Sequence, residues 1–170
     1  CLDQGIRLVQ ITDKQWIETP ELVKSRLRSI FGRTTNKLHA RKCNVVIPTV
    51  DQVRRFQTET HIQKYVGFSV ALALEYQGNI VSVLTMGKPR YSSTHQWELL
   101  RLSSSLDHTI VGGASKLFSH FVKHYCPTDV ISYSDASWNT GNVYDRLGFE
   151  FIRQSKPSYQ YFHRSRAHKL

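Results

Sequence analysis

The sequence predicts an α/β fold of the α+β kind, a mixed and mainly antiparallel sheet flanked by helices. Three observations predict it. Apolar, β-branched runs of strand length recur at 43–50, 68–76, 80–86, 97–102 and 130–134. Helix-period patterns separate them. A glycine pair, Gly112-Gly113, stands between one strand run and a helix pattern.

Each element follows from local chemistry. Thr19-Pro20-Glu21 opens a helix, with Thr as N-cap, Pro at the first helical position and Glu in the first turn. Leu22, Val23, Leu27, Ile30 and Phe31 give it an apolar face, and Gly32 ends it. The run 43–50 leads to Asp51, the expected N-cap of a helix over 52–60. The runs 68–76 and 80–86 flank Gln77-Gly78-Asn79 and read as a hairpin. A third strand covers 97–102. The pattern over 113–125 is a helix with Leu117, Phe118, Phe121 and Val122 inward. A strand at 130–134 and a short helix at 142–147, stopped by Gly148, come next. The segments 149–153 and 158–162 are expected to close a second hairpin around Lys156-Pro157.

Composition narrows the class. A chain of 170 residues has room for one ordinary domain with a true core. No apolar run approaches the roughly 20 residues needed to span a bilayer, and no signal peptide is visible, so no membrane partner is expected. The chain opens on Cys1 rather than Met, as a fragment or processed product would. Cys1, Cys43 and Cys126 are odd in number and widely spaced, which fits a reducing, cytoplasmic setting. The eight histidines are scattered and no His/Cys/Asp cluster has ligand spacing, so no metal is expected. No hydrolase motif is present.

The formal charge of +10, with pI near 9.7, points to a polyanionic partner, nucleic acid first. One basic cluster comprises Lys24, Arg26, Arg28, Arg33, Lys37, Arg41 and Lys42. The other comprises Arg153, Lys156, His163, Arg164, Arg166, His168 and Lys169, interleaved with Tyr159, Tyr161 and Phe162. Bases stack on such rings while Lys and Arg hold phosphates. A solvated face with a basic tail has the same composition.

The glycine pair suggests an anion site. Thr109, Val111, Gly112, Gly113, Ala114 and Ser115 run into a helix whose first N–H groups have no intrahelical partner. Backbone donors and the positive end of the dipole converge there, which suits a diphosphate. A tight turn gives the same sequence signal. Lys116 either adds charge to that site or sits on the helix surface.

Two separated motifs carry a family resemblance. Thr109, Gly112 and Ala114 align with a Gln/Arg-x-x-Gly-x-Gly/Ala loop, with Thr in place of the leading Gln or Arg. Asn139, Tyr144 and Leu147-Gly148-Phe149 align with an Asn, a helix carrying Tyr, and a Leu-Gly-Phe ending. Over residues 43–163 the chain thus resembles the GNAT acetyltransferase superfamily. More narrowly, H-I-Q-K-Y, W-E-L-L-R-L, V-G-G-A-S-K-L-F, Y-D-R-L-G-F-E-F-I and K-P-S-Y-Q-Y-F look like the C-terminal region of phage homing-endonuclease-like proteins with a Vsr-like nuclease at their N-terminus. A more distant similarity is to the phage Mom DNA-modification proteins. The resemblance implies three segments: 1–42 as a junction to an upstream nuclease-like domain, 43–163 as the GNAT-like domain, and 164–170 as a basic tail. It also implies acetyl-CoA or another acyl-CoA as cofactor and DNA as partner.

The resemblance assigns roles as expectations. Tyr144 is the acid for a thiolate leaving group, or else a core tyrosine. Asn139 or Asn142 bonds the pantetheine or caps the helix. Glu98, among the apolar Trp97, Leu99 and Leu100, is a partly desolvated general base, with a salt bridge to Arg101 as the competing reading. Alternation along a strand weakens that salt bridge. His61, expected to titrate near neutrality, moves protons or simply ends its helix, and Gln63 reads a base edge. Asp135 is a further catalytic candidate. Gln63, Arg164, Arg166 and Lys169 are the expected nucleic-acid contacts. Two functions follow: an acyl-CoA-dependent N-acyltransferase or Mom-like modification activity on DNA, or an inactive GNAT-like DNA-binding module.

Overall fold

The computed structural model describes residues 4–34 and 36–155. In chain order it contains α1 (Asp13–Glu18), α2 (Pro20–Ile30), β1 (Asn36–His39), a 3-10 turn (Ala40–Lys42), β2 (Asn44–Val46), α3 (Val50–Thr60), β3 (Val70–Tyr76), β4 (Asn79–Gly87), β5 (Trp97–Ser104), β6 (His108–Val111), α4 (Gly113–Tyr125), β7 (Val130–Ser132) and α5 (Asn142–Arg146). The fold is α+β, as the sequence predicts. A five-stranded sheet runs β2-β3-β4-β5-β7, antiparallel except for the parallel β5–β7 pair.

Strand alternation divides the core into two layers. Leu72, Leu74, Leu84, Met86 and Leu99 meet Leu117 and Phe121 of α4. Ala71, Ala73 and Val83 meet Val53 of α3 on the opposite face. Phe121 is fully buried, so truncating it to Ala would cost about 3–5 kcal/mol.

Several local expectations change. Thr49, not Asp51, caps α3. Its side chain accepts from the Gln52 N–H, and the Gln52 side chain returns a bond to the Thr49 N–H. Asp51 instead lies in the first turn, where a carboxylate suits the dipole. Thr19 is the N-cap of α2, but its hydroxyl donates to the Gln15 carbonyl and does not cap. Residues 149–153 form no strand, and Phe151 and Ile152 are exposed. Their expected partner 158–162, like Arg164, Arg166 and Lys169, lies outside the described residues.

The segment before residue 43 belongs to the folded body. β1 pairs with β6 in a parallel two-stranded sheet. Leu22 and Val23 are buried, and the Ser25 hydroxyl donates to the Leu106 carbonyl. Arg7 donates to the carbonyl of buried Trp138. A boundary at 42/43 would cut through these contacts.

Candidate functional site

The β5–β7 pairing spans Trp97–Leu99 against Val130–Ser132 and stops there. At that point β5 carries a bulge. Thr85 faces Arg101 while Met86 faces Leu99, so Leu100 is the extra residue. The extra residue puts Glu98 and Arg101 on the same face of the strand. Simple alternation had separated them.

A cavity of about 90 Å³ opens beside this bulge. His61 and Gln63 reach it from the end of α3, Asp135 and Asn139 from the turn after β7, and Tyr144 from α5. Arg26 of α2 and Arg101 of β5 complete its charged wall. Tertiary structure therefore gathers five residues that the sequence singled out at separate places.

Each is held by identifiable contacts. Arg101 is buried, its Nε donating to the Lys64 carbonyl and its Nη1 to the Leu100 carbonyl. Lys64 also pairs with Glu18 at 3.3 Å, so the loop after α3 is fixed from two sides. Asp135 Oδ1 accepts from the Ser137 backbone and hydroxyl, and the Asp135 carbonyl accepts from the Trp138 and Asn139 N–H groups. Tyr144 is half-buried against Phe149, whose ring packs on Phe118 of α4. The Leu-Gly-Phe ending thus positions the tyrosine.

His61 differs from expectation. Burial, then the charges of Arg101 and Arg26, push its pKa down to about 3. The ring is neutral at physiological pH and does not exchange protons there. Its Nδ1 accepts from the Gln63 N–H at 3.1 Å, which leaves the proton on Nε2. His61 is a fixed hydrogen-bond donor.

Glu98 lies outside the cavity wall. It is fully buried and bound by the side chain and backbone N–H of Arg90. That leaves its carboxylate anchoring the β4–β5 loop. Asn142 is exposed, away from the cavity. Gly141, in left-handed conformation, is the N-cap of α5, so neither Asn139 nor Asn142 caps it with a side chain.

The glycine loop borders a second, more open hollow. Thr109 and Val111 belong to β6, a strand where the sequence predicts only the loop before the helix. Gly112 has φ of 76°, the left-handed region that favours glycine, and is the N-cap of α4. A Cβ there would come no closer than 4.0 Å to Ala40, so the space beside it is open. Ala114 and the exposed Ser115 continue the first turn. His39 and Arg41 line the same hollow. Lys116 bridges to the Ala40 and Cys43 carbonyls at 3.0 and 2.6 Å, so its ammonium braces the 3-10 turn.

The sequence reading missed Arg26 and Arg101 as cavity residues. A guanidinium between Leu100 and Leu102 in a strand run was the available signal for one; Arg26 was hidden in a basic cluster. Among the described residues no helix is long and apolar enough to cross a membrane, and no group of His, Cys, Asp or Glu is placed to hold a metal ion. No protein-family model, curated protein or solved structure matches the chain.

Proposed function

We propose that this chain is a GNAT-type N-acyltransferase of phage kind that modifies DNA, with an acyl-CoA as donor. The observation that carries the reading is the convergence of His61, Gln63, Asp135, Asn139 and Tyr144 on one cavity where β5 and β7 part. The donor's diphosphate suits the hollow at Gly112, where the backbone of Gly113, Ala114 and Ser115 opens a helix and which Arg41 also lines. An acyl-CoA supplies an activated carbonyl bound to a thiolate leaving group.

The chain's own residues supply the rest. Asp135 takes a proton from the acceptor nitrogen as that nitrogen bonds to carbon. The His61 Nε2–H favours negative charge developing on oxygen. Tyr144 would hold a hydroxyl proton for the donor's sulfur. Gln63 offers its amide group to a base edge.

The test is mass spectrometry of nucleosides after DNA is incubated with the protein and acetyl-CoA. An acylated nucleoside and stoichiometric free CoA are expected. Tyr144→Phe should lower turnover by about 10²-fold or more with CoA affinity unchanged. No modified nucleoside, together with no thermal stabilisation by millimolar CoA, would refute the enzyme.

One observation favours a second reading, a DNA-binding module without chemistry. Glu98 and Lys116 are both spent on internal contacts, while the chain keeps a formal charge of +10. DNA binding with no CoA binding is its signature.

A further inference from the structure

Arg26 and Arg101 bring two positive charges to one small cavity, from α2 and from β5. Neither forms an ion pair among the described residues. The hydrogen bonds of Arg101 go to backbone carbonyls, which carry no net charge. Asp135 on the same wall acts on Arg26, and the nearby Glu98 is already paired with Arg90, so an excess of one positive charge remains. An uncompensated positive charge in a partly desolvated cavity is costly, so the arrangement calls for an anion. Burial lowers the pKa of both arginines, in keeping with that cost.

The donor set defines the anion. Each guanidinium offers several N–H groups, and Asn139 adds an amide. One excess charge surrounded by many donors matches a singly charged group with several acceptor oxygens. A phosphodiester has that character, whereas a dianionic phosphate overcharges the wall.

The mouth carries a second feature. Tyr133 lines the cavity and is 44% exposed, and its ring meets that of Tyr91, 77% exposed, edge to face at 5.4 Å. Arg90 lies over Tyr91 at 5.5 Å and is itself fixed by Glu98. Exposed, pre-positioned aromatic rings beside an anion pocket are what an unstacked base requires.

We propose that the cavity and this tyrosine pair form a subsite for one nucleotide of a single-stranded or locally extruded strand, its phosphodiester on Arg26 and Arg101 and its base on Tyr91 and Tyr133. The inference rests on the nucleic-acid target of the proposed function and is independent of the acyl donor.

Fluorescence anisotropy of the full chain with a labelled oligothymidylate, and with a matched duplex, tests it. The single strand should bind more tightly than the duplex. Tyr91→Ala should weaken single-strand binding roughly tenfold and Tyr91→Phe should restore it. Arg26→Gln should weaken it roughly tenfold and reduce the salt slope by about one phosphate. Tyr91 is exposed, so its variants keep the test valid even where an arginine variant fails to fold. Unchanged affinity in the Tyr91→Ala and folded Arg26→Gln variants, or a preference for duplex, would overturn the proposal. Displacement of the oligonucleotide by orthophosphate, with Tyr91→Ala indistinguishable from wild type, would assign the cavity to free phosphate and also overturn it. No acyl donor enters these titrations, so an unmodified DNA product with normal strand binding refutes the transferase alone.

Discussion

Glu98 and Arg90 are joined by three hydrogen bonds. The Arg90 backbone N–H donates to Oε2 at 2.7 Å, and its Nε and Nη2 donate to Oε1 at 2.9 and 2.5 Å. The carboxylate is fully buried and the arginine is about one-third exposed. The hydrogen bond to Glu98 raises the Arg90 pKa further, so the guanidinium stays charged. The anchor sets the loop that carries Tyr91 to the mouth of the cavity.

Glu98→Gln keeps the shape and removes the charge. It should destabilise the protein by about 1–3 kcal/mol, the scale of charge-assisted hydrogen bonds. Chemical denaturation of the two proteins measures this. A variant as stable as wild type would show that the charge on Glu98 contributes nothing to stability.

Gly113 is buried, and a Cβ on it would meet Ile110 Cγ2 at 2.8 Å. Gly113→Ala should therefore cost about 1–3 kcal/mol through overpacking. Thermal melting reads the loss. If alanine is neutral there, the close approach of α4 to Ile110 is wrong.

His61 makes stability depend on pH. Its ordinary pKa of 6.5 falls to about 3 in the fold, where Arg101, Arg26 and Asp135 line its cavity with Tyr133 and Tyr144. Below pH 6.5 the unfolded chain takes up a proton that the folded chain refuses. Stability is thus present above 6.5 and is lost as pH falls toward 3, by at most about 1.4 kcal/mol per unit. The difference between wild type and His61→Gln in denaturation series across that window isolates this share. A difference that does not change with pH would contradict the buried neutral ring.

Residues before 43 are expected to be indispensable. A chain starting at residue 43 loses the burial of Leu22 and Val23, and β6 loses its partner β1. At about 1.5–3 kcal/mol per buried aliphatic side chain, that is roughly 3–6 kcal/mol. Calorimetry should show a much lower or absent cooperative transition. An unaltered transition would restore the boundary at 42/43.

The sequence by itself determined the elements whose information is local. The helix Gly113–Tyr125, the β3–β4 hairpin and the strand at Trp97 are written in apolar period and turn chemistry over a few residues. The α+β class follows from their order. Tertiary structure decided what depends on partners distant in the chain. β6 and β1 are four residues each, too short to signal alone, and exist because they pair across more than sixty intervening residues. The bulge at Leu100 appears only when β4 fixes the register, and it moves Arg101 to the face of Glu98. His61 looked like a pH-active histidine because sequence carries no measure of burial or of the two guanidinium groups around it. The five cavity candidates were legible one by one. Their meeting, with Arg26 from the helix opened by Thr19-Pro20-Glu21, follows from long-range packing that no local pattern encodes.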